Sequence, residues 1–426
     1  MAAPDLLQRR ERALGPAYRL FYDQPVHLVR GEGAWLFGAD GKRYLDCYNN
    51  VASVGHCHPH VVAALSSQAA TLNTHTRYLH EKIVSYAERL GATLPGELSV
   101  CMFVCTGTEA NDLAVRIARA VTGHEGVIVT EDAYHGNSTT VYRLSTEEYP
   151  AAERPDWLEA VEAPCTYRGR FQGPGPEAAR QFAGLLDDAT GRLAARGHGT
   201  AMFLTDNIYS SNGVLTPDPA YLQEAYRRVR AAGGLAVADE VQSGLCRLGD
   251  HYWGFEDSGV VPDIVTMGKP LGDGHPLAAV VTTPEIAGRF ASKYDYFNTF
   301  GGNPVSAAVG SAVLDVIEQE GILRNVHATG AGLGAGLRAL MARYGQVGDV
   351  RGKGLFYGVE IVSDRATREA APAEAARVRE HLRENGILLG TSGPRNNVIK
   401  IRPPLVFNRE HAALLLAGLD SALAAA

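Results

Sequence analysis

The stretch PAYLQEAYRRVRAAGGLAVADEVQSG, residues 219–244, contains a helix-like segment followed directly by a strand-like one. In residues 219–233, charged and apolar side chains recur with the spacing of a surface helix that packs on a core. Residues 234–240 are nearly continuous in apolar side chains, which is typical of a strand buried on both faces. A helix leading into a buried strand is the repeating unit of an α/β domain with a mostly parallel sheet.

The same alternation continues through the middle of the chain. Other apolar runs that predict strands are VCMFVCT (100–106), GVIVTE (126–131), TAMFLTD (200–206), DIVTMG (263–268) and LAAVVTT (277–283). EANDLAVRIARAV predicts a helix between the first two of these strands. Because ligands bind beyond the carboxyl ends of such strands, polar residues at those ends are the first candidates for a functional site.

The two ends of the chain carry a different pattern. Residues 34–50 predict a hairpin with ADGK as its turn. From about residue 311 the sequence turns to amphipathic helices, followed by strand-like text at 348–362 and 397–407. These segments predict a second, smaller α+β unit.

The composition restricts the classes of partner. A formal net charge of −7 and a pI near 6.1 argue against nucleic acid or an anionic membrane as the main partner. No stretch approaches the roughly 18 uninterrupted apolar residues of a membrane span, and the N-terminal sequence lacks the apolar segment of a secretory signal. The 6 cysteines lack the spacing of a disulfide framework, which indicates reduced thiols and a cytoplasmic location.

The stretch GHCHPH places His56, Cys57, His58 and His60 close together and raises the question of a metal site. Zinc sites usually draw ligands from two separated pairs, because adjacent side chains cannot all converge on one ion. The sequence offers no second pair with such spacing. We therefore expect no metal here, but a tight turn that leads into a helix from Val61.

The stretch CTGTEAND lies between a predicted strand and a predicted helix. The free N–H groups and positive dipole of a helix start favour phosphate binding. Gly107 would allow close approach of the backbone, and Thr106 or Thr108 would add a hydroxyl donor. The alternative is an ordinary helix cap followed by Glu109, and the stretch alone does not decide between the two.

Two further strand ends carry polar or aromatic residues. VADEVQSG ends a predicted strand with Asp239 and Glu240, and a buried carboxylate there requires a partner. Such a carboxylate could hold a pyridine nitrogen in its protonated form. DAYHGNST presents Tyr134 and His135 after another strand. An aromatic ring there could stack on a flat cofactor, or it could simply pack on the core.

Lys269 follows a predicted buried strand in VPDIVTMGKPLGDGHP, where prolines and glycines are expected to keep the chain out of any helix. One interpretation is a strand-end lysine whose charge reaches water. The other is a desolvated amine with a lowered pKa that forms a Schiff base. The choice depends on the other motifs.

Taken in order, TGTEAN, DAYHGN, ADEVQSG, TMGKPLGDGHP and NTFGGNP resemble the motifs of the class III aminotransferases, pyridoxal-phosphate enzymes of fold type I. The resemblance extends over nearly the whole chain. It implies an α/β fold with a mostly parallel seven-stranded sheet in a large domain, residues 57–310. A smaller α+β domain would be formed by residues 1–56 and 311–426.

The resemblance implies pyridoxal 5'-phosphate as the cofactor. Lys269 would hold it as a Schiff base and Asp239 would pair with its ring nitrogen, so these two are the predicted catalytic residues. The other predicted cofactor contacts are Gly107, Thr108, Tyr134, His135, Gln242 and Thr299. Thr299 is expected from the partner subunit, which implies a homodimer with shared active sites.

The residues expected to face the substrate differ from the commoner family pattern. Many members bind an α-carboxylate through an arginine before a PP pair, and a glutamate on a middle strand holds that arginine. Here Lys400 stands at the arginine position and Asp206 at the glutamate position. Lysine lacks the planar fork that suits a carboxylate, which argues against an α-amino acid substrate. We expect Asp206 to pair with Lys400, and Arg402 is the alternative carboxylate ligand.

YLDCYNNVASVGHCHP, LNTHTRYLH and KIRPP more closely resemble the phospho-lyases that act on ethanolamine phosphate or 5-phosphohydroxylysine. Those enzymes remove phosphate β to an amine, and their substrates carry no carboxylate beside that amine. The resemblance suggests Arg77 as a phosphate ligand, with a surface salt bridge as the alternative. Tyr48 and Asn50 are expected in the same pocket. TDNIYSSNG, which contains Asp206, departs from the phospho-lyase pattern.

Three functions follow from these patterns. The first is a phospho-lyase that eliminates phosphate and ammonia from an O-phosphorylated vicinal amino alcohol such as ethanolamine phosphate. The second is an ω-aminotransferase that uses 2-oxoglutarate or another oxo acid. The third is a non-catalytic binding protein on the same fold, against which the presence of Lys269, Asp239 and Gln242 argues.

Overall fold

The structure of the protein is a computed structural model that describes residues 5–425. The helices in these residues are α1 (Leu6–Leu14), α2 (Pro59–Thr71), α3 (Glu81–Ala92), α4 (Gly107–Thr122), α5 (Thr139–Leu144), α6 (Pro176–Ala195), α7 (Ala220–Ala231), α8 (Pro284–Ala291), α9 (Pro304–Gln319), α10 (Ile322–Arg343), α11 (Pro372–Glu384) and α12 (Arg409–Ala425). The strands are β1 (Leu28–Glu32), β2 (Trp35–Gly38), β3 (Arg43–Asp46), β4 (Val100–Val104), β5 (Gly126–Thr130), β6 (Leu158–Val161), β7 (Thr200–Asp206), β8 (Leu235–Asp239), β9 (Ile264–Met267), β10 (Ala278–Thr282), β11 (Val347–Lys353), β12 (Phe356–Asp364), β13 (Glu369–Ala370), β14 (Ile387–Leu388), β15 (Gly390–Ser392) and β16 (Val398–Ile401).

The central sheet has seven strands in the order β4-β10-β9-β8-β7-β5-β6. β10 runs antiparallel to both of its neighbours, and the other neighbouring strands of this sheet pair in parallel. The mostly parallel α/β sheet is therefore confirmed, and each strand predicted for it is present. β6 was not predicted, because its text LEAV gives only a short apolar run interrupted by Glu159.

Both ends of the chain contribute to two smaller sheets. β14 pairs in parallel with β3, so the sheet β1-β2-β3-β14 joins residues from the N-terminal and C-terminal parts. A second sheet has the order β11-β12-β16-β15, with β13 added beside β12. The expected border at 310/311 falls inside α9, which is continuous. The domain boundaries stay a prediction, and residues 1–4 and 426 of the small domain lie outside the described residues.

The GHCHPH stretch forms the turn before α2 and does not gather its side chains around one point. His56 pairs with Asp46 at 2.6 Å, whereas His58 pairs with Glu320 and His60 with Asp315. Within residues 5–425, no group of three or more metal-binding side chains is found. The turn was correctly predicted, although α2 begins at Pro59, two residues before Val61.

No described helix combines the length and the apolar character needed to cross a membrane. All six cysteines are free thiols. The cytoplasmic location stays a prediction.

Candidate active site

A cavity of about 340 Å³ lies at the carboxyl ends of β4, β8 and β9. It brings together residues that are far apart in sequence because parallel strands present their carboxyl ends at one edge of the sheet. The predicted site residues that line it are Gly107, Thr108, Tyr134, His135, Asp206, Asp239, Gln242 and Lys269.

One wall of the cavity is the start of α4. Thr106 caps this helix in a capping box with Glu109, so the cap reading of CTGTEAND is correct. The cap does not use the N–H groups of Gly107 and Thr108, which have no intrahelical acceptor at a helix start. A Cβ on Gly107 would come within 2.9 Å of Val241, so glycine is needed for the close approach there. The cap therefore leaves these N–H groups available to an anion at this helix start.

Asp239 ends β8 on the cavity floor and is held by three hydrogen bonds. Its Oδ1 accepts from the backbone N–H of Val241, at 3.1 Å. Its Oδ2 accepts from Nδ2 of Asn111 at 2.9 Å and from Nδ1 of His135 at 2.8 Å. Asp239 is only 5% exposed, yet it lines the cavity. The carboxylate is therefore fixed in place beside the space that a ligand would occupy.

Glu240, the adjacent carboxylate, points away from the cavity into the protein. It accepts hydrogen bonds from the backbone of Gly254 and Phe255 and from the side chains of Ser243 and Asn207. Burial nevertheless raises its pKa to about 7. Glu240 holds the following loop together and has no contact with the cavity.

Lys269 follows β9 and lines the same cavity. Burial lowers the pKa of its amine to about 8, helped by the positive charge of Arg402 and opposed by Asp239 and Asp206. The sequence predicted no helix after this strand. This prediction is wrong, because Lys269–Gly272 forms a single turn of 3-10 helix. Pro270 is tolerated at its start, where a missing N–H costs nothing.

A chain of polar contacts leads from the cavity to the C-terminal part. Arg402 donates to the side-chain oxygen of Gln242, whose Nε2 donates to Oγ of Ser210 at 2.6 Å. Ser210 donates in turn to Asp206, at 2.6 Å. Gln242 and Asp206, which both line the cavity, are therefore connected through Ser210.

The expected ion pair between Asp206 and Lys400 is absent from the described residues. Asp206 accepts instead from the backbone of Ile208 and from both donors of Ser210. Lys400 is 7% exposed and lies beyond the lining of the cavity. Burial, then the charge of Arg402, lowers its pKa well below the ordinary value, although Asp206 is near enough to oppose this. Asp206 does not pair with Lys400 as expected, because its carboxylate accepts hydrogen bonds from Ser210.

The remaining predicted site residues lie outside the cavity lining. Asn50 is 2% exposed, and its Nδ2 is buried without a hydrogen-bond partner in the described part of the chain. Tyr48 lies under the guanidinium of Arg402, 4.5 Å from it. Thr299 is exposed. Arg77 is exposed and stacks on Phe297 at 3.9 Å, rather than forming the surface salt bridge considered above.

Several residues of the site had not been assigned a role from the sequence. Asn111 and Val241 lie within quoted motifs, yet the residue types alone gave no reason to single them out. Ser210 was missed because a serine in a loop carries no signal. His275 also lines the cavity and contacts Ser306 at 2.8 Å. Only the geometry identifies these four residues as neighbours of the site.

These residues fit pyridoxal phosphate. The start of α4 offers free N–H groups to a phosphate, the buried Asp239 matches a protonated ring nitrogen, and Lys269 supplies an amine of lowered pKa. The half-buried ring of Tyr134 is available to cover a flat cofactor. Such a site on an α/β sheet of this order defines the pyridoxal-phosphate enzymes of fold type I.

Comparison with known proteins agrees with this assignment to the pyridoxal-phosphate enzymes. The family described as aminotransferase class III matches residues 21–423, and this chain belongs to that family. It is a pyridoxal-phosphate-dependent enzyme.

Individual relatives are named either as aminotransferases or as phospho-lyases. An alanine–glyoxylate aminotransferase 2-like protein of Drosophila melanogaster is 42% identical over 434 residues, covering 100% of this chain and 88% of the relative. Ethanolamine-phosphate phospho-lyase homolog 1 of Caenorhabditis elegans is 38% identical over 435 residues, covering 98% and 93%. A solved phospholyase from Arthrobacter, in complex with phosphoethanolamine, is 44% identical with a TM-score of 0.95, covering 99% of this chain and 100% of that one.

Proposed function

We propose that the protein is a phospho-lyase, which converts an O-phosphorylated vicinal amino alcohol and water into an aldehyde, ammonia and inorganic phosphate. Lys400 carries this proposal. It is a buried lysine with no ion-pair partner among the described residues, at the position where many family members bind a carboxylate through arginine. The Arthrobacter phospholyase, solved with phosphoethanolamine, supports the same substrate class.

The charges around Lys400 favour an anionic group in the substrate. Besides burial, Arg402 and, more weakly, Lys269 lower the pKa of Lys400, whereas the carboxylates of Asp206 and Glu147 raise it. Grouped buried cations destabilise one another unless an anion joins them. A phosphate group, with two negative charges near neutral pH, would meet that requirement. The buried, unpartnered Nδ2 of Asn50 would provide a further donor.

The proposed roles of the chain's own groups follow from their positions. The cofactor, when bound, serves as an electron sink for the carbon that bears the amine. The amine of Lys269 removes the proton from that carbon, and the C–O bond to phosphate on the neighbouring carbon breaks. Asp239 keeps the ring nitrogen protonated. Lys400, which lies beyond the cavity lining but close enough to Lys269 for their charges to interact, would attract the departing phosphate. Asn50, next to the cavity-lining Val51, would offer its amide as a further donor.

We also propose a homodimer with shared active sites. Thr299 and Arg77 belong to one exposed surface, because the Arg77 guanidinium covers Phe297 near Thr299. The same surface exposes large apolar side chains, including Leu79 at 100% and Phe300 at 71%. Apolar surface of this kind is typical of a contact between proteins. Thr299 and Arg77 would then act in the active site of the partner subunit.

The deciding experiment is the measurement of inorganic phosphate after mixing the holoenzyme with O-phosphoethanolamine, without any oxo acid. We expect acetaldehyde, ammonia and phosphate in equal amounts, and no release by Lys269→Ala. Longer phosphorylated amines should be tested in parallel. If none of them releases phosphate while the holoenzyme transfers amino groups to an oxo acid, the proposal is wrong.

The second candidate is an ω-aminotransferase, favoured by the name of the Drosophila relative. The same assay with 2-oxoglutarate or glyoxylate and a series of amine donors tests it. Amino transfer far faster than phosphate release would establish this reaction instead.

A further inference from the structure

The Asp239 carboxylate depends on a side chain from another element for its orientation. Asn111, in the second turn of α4, donates from Nδ2 to Oδ2 of Asp239 at 2.9 Å. The same Nδ2 donates to the backbone oxygen of His135 at 2.8 Å. Asn111 is 1% exposed, so water does not compete for these contacts. Both hydrogens of the amide nitrogen are therefore directed at oxygen acceptors.

Thr266 completes the arrangement. Its hydroxyl donates to Oδ1 of Asn111 at 2.7 Å, and its side chain is fully buried. An amide has one acceptor oxygen and one donor nitrogen, so its two ends are not interchangeable. A rotated Asn111 amide would turn its oxygen towards the oxygens of Asp239 and His135. The hydroxyl of Thr266 holds the amide in the favourable orientation.

The sheet brings these three residues together. Asp239 and Thr266 are register partners in the parallel pair β8–β9, and the N–H of Glu240 donates to the backbone oxygen of Thr266 at 2.9 Å. Thr266 lies three residues before Lys269 on the same strand and turn. Strand β9, which leads to Lys269, therefore also carries Thr266, the register partner of Asp239 on β8.

We propose that Thr266 and Asn111 are positioning residues, which act through Asp239 to fix the ring of pyridoxal phosphate in the cavity. The inference rests on the proposed role of Asp239. It does not depend on which substrate the enzyme uses. Loss of the Thr266 hydroxyl leaves Oδ1 of Asn111 buried without a donor, so the amide is expected to shift and its hydrogen bond to Asp239 to weaken. The carboxylate is no longer held at the position that the ring nitrogen requires.

The chain offers a matched pair of variants. Thr266→Val keeps the shape of the side chain and removes only the hydroxyl, whereas Thr266→Ser keeps the hydroxyl. Thr282 on β10 is also fully buried, and its hydroxyl donates to the backbone oxygen of Asp263 at 2.8 Å. Thr282→Val therefore removes a hydrogen bond of similar length from an equally buried threonine, and this bond has no link to Asp239.

The test titrates each apo-protein with pyridoxal phosphate and follows the visible absorption of the bound cofactor across pH. We expect Thr266→Val to bind the cofactor about fivefold to tenfold more weakly, as loss of one buried hydrogen bond implies. Its absorption should also titrate at a different pH. Thr266→Ser and Thr282→Val should match the unmodified protein. Asn111→Asp, which places a carboxylate against Asp239, should bind still more weakly than Thr266→Val.

Two outcomes contradict the inference. One is unchanged affinity and absorption in Thr266→Val, and the other is an equal loss in Thr282→Val, which would indicate a general effect of strand stability. If Thr266→Val does not fold, Thr266→Ala and Thr282→Ala replace the pair. Because the readout is cofactor binding, failure here is separate from failure of phosphate release, which would contradict the proposed function instead.

Discussion

The guanidinium of Arg402 donates a hydrogen bond to the side-chain oxygen of Gln242, and so joins the C-terminal part of the chain to the wall of the cavity. The positive charge of Arg402 is also the second cause, after burial, of the lowered pKa of Lys269. Arg402 therefore affects both Gln242, which lines the cavity, and the reactivity of the Lys269 amine.

The first prediction concerns the pH dependence of cofactor capture. With its pKa at about 8, the Lys269 amine is mostly charged below that pH and mostly neutral above it. Only the neutral amine attacks an aldehyde. The rate at which apo-protein captures pyridoxal phosphate should rise roughly tenfold per pH unit up to about pH 8 and then level off. Stopped-flow absorbance measures this rate.

Arg402→Met provides the comparison for this prediction. Removing a nearby positive charge makes the charged form of Lys269 more favourable, so the inflection should move to higher pH. An inflection that stays in place, or moves to lower pH, would show that Arg402 has no such influence.

The second prediction concerns Lys400. Lys400→Met should raise KM for O-phosphoethanolamine roughly tenfold to one-hundredfold, since a hydrogen bond to a charged group contributes about 1.5–3 kcal/mol. Cofactor affinity should not change. Because a buried cation without a partner is unfavourable, the free energy of unfolding should stay equal or increase. Steady-state kinetics and urea unfolding measure the two effects, and an unaltered KM would exclude Lys400 from substrate binding.

The third prediction tests whether Arg77 acts in the partner subunit. Lys269→Ala and Arg77→Ala are each expected to be nearly inactive alone. If Arg77 serves the other subunit, a mixed dimer of the two variants contains one site with both defects and one intact site. Random exchange makes half of the dimers mixed, so activity should recover to about one quarter of the unmodified enzyme. No recovery after confirmed subunit exchange would place Arg77 in its own subunit's site, and full activity of Arg77→Ala alone would place it outside any site.

The fourth prediction concerns the histidine at the start of the GHCHPH turn. His56→Ala leaves the fully buried Asp46 without its side-chain partner and should lower the free energy of unfolding by about 3 kcal/mol. His60→Ala is the matched control, because His60 and Asp315 are 50% and 29% exposed. Exposed pairs contribute little, so the control should lose less than about 1 kcal/mol. Equal losses in denaturant unfolding would contradict the distinction.

The sequence by itself determined the α/β fold and most of the site. Buried strands have continuous apolar runs because both faces of a parallel sheet are covered, and the chemical groups stand at their ends for the same reason. Lys269, Asp239 and the start of α4 could therefore be located from pattern, and the order of motifs identified the family. β6 was not predicted because Glu159 interrupts its short apolar run.

Only the tertiary structure decided which neighbours each group contacts. Asp239 and Glu240 are adjacent carboxylates, and strand alternation sends one to the cavity and the other to four donors inside the protein. Asp206 accepts a hydrogen bond from Ser210 rather than pairing with Lys400, because Ser210 is a donor only four residues away in the chain. Hydrogen bonds depend on distances of a few tenths of an ångström between residues far apart in sequence, and no pattern of residue types contains those distances.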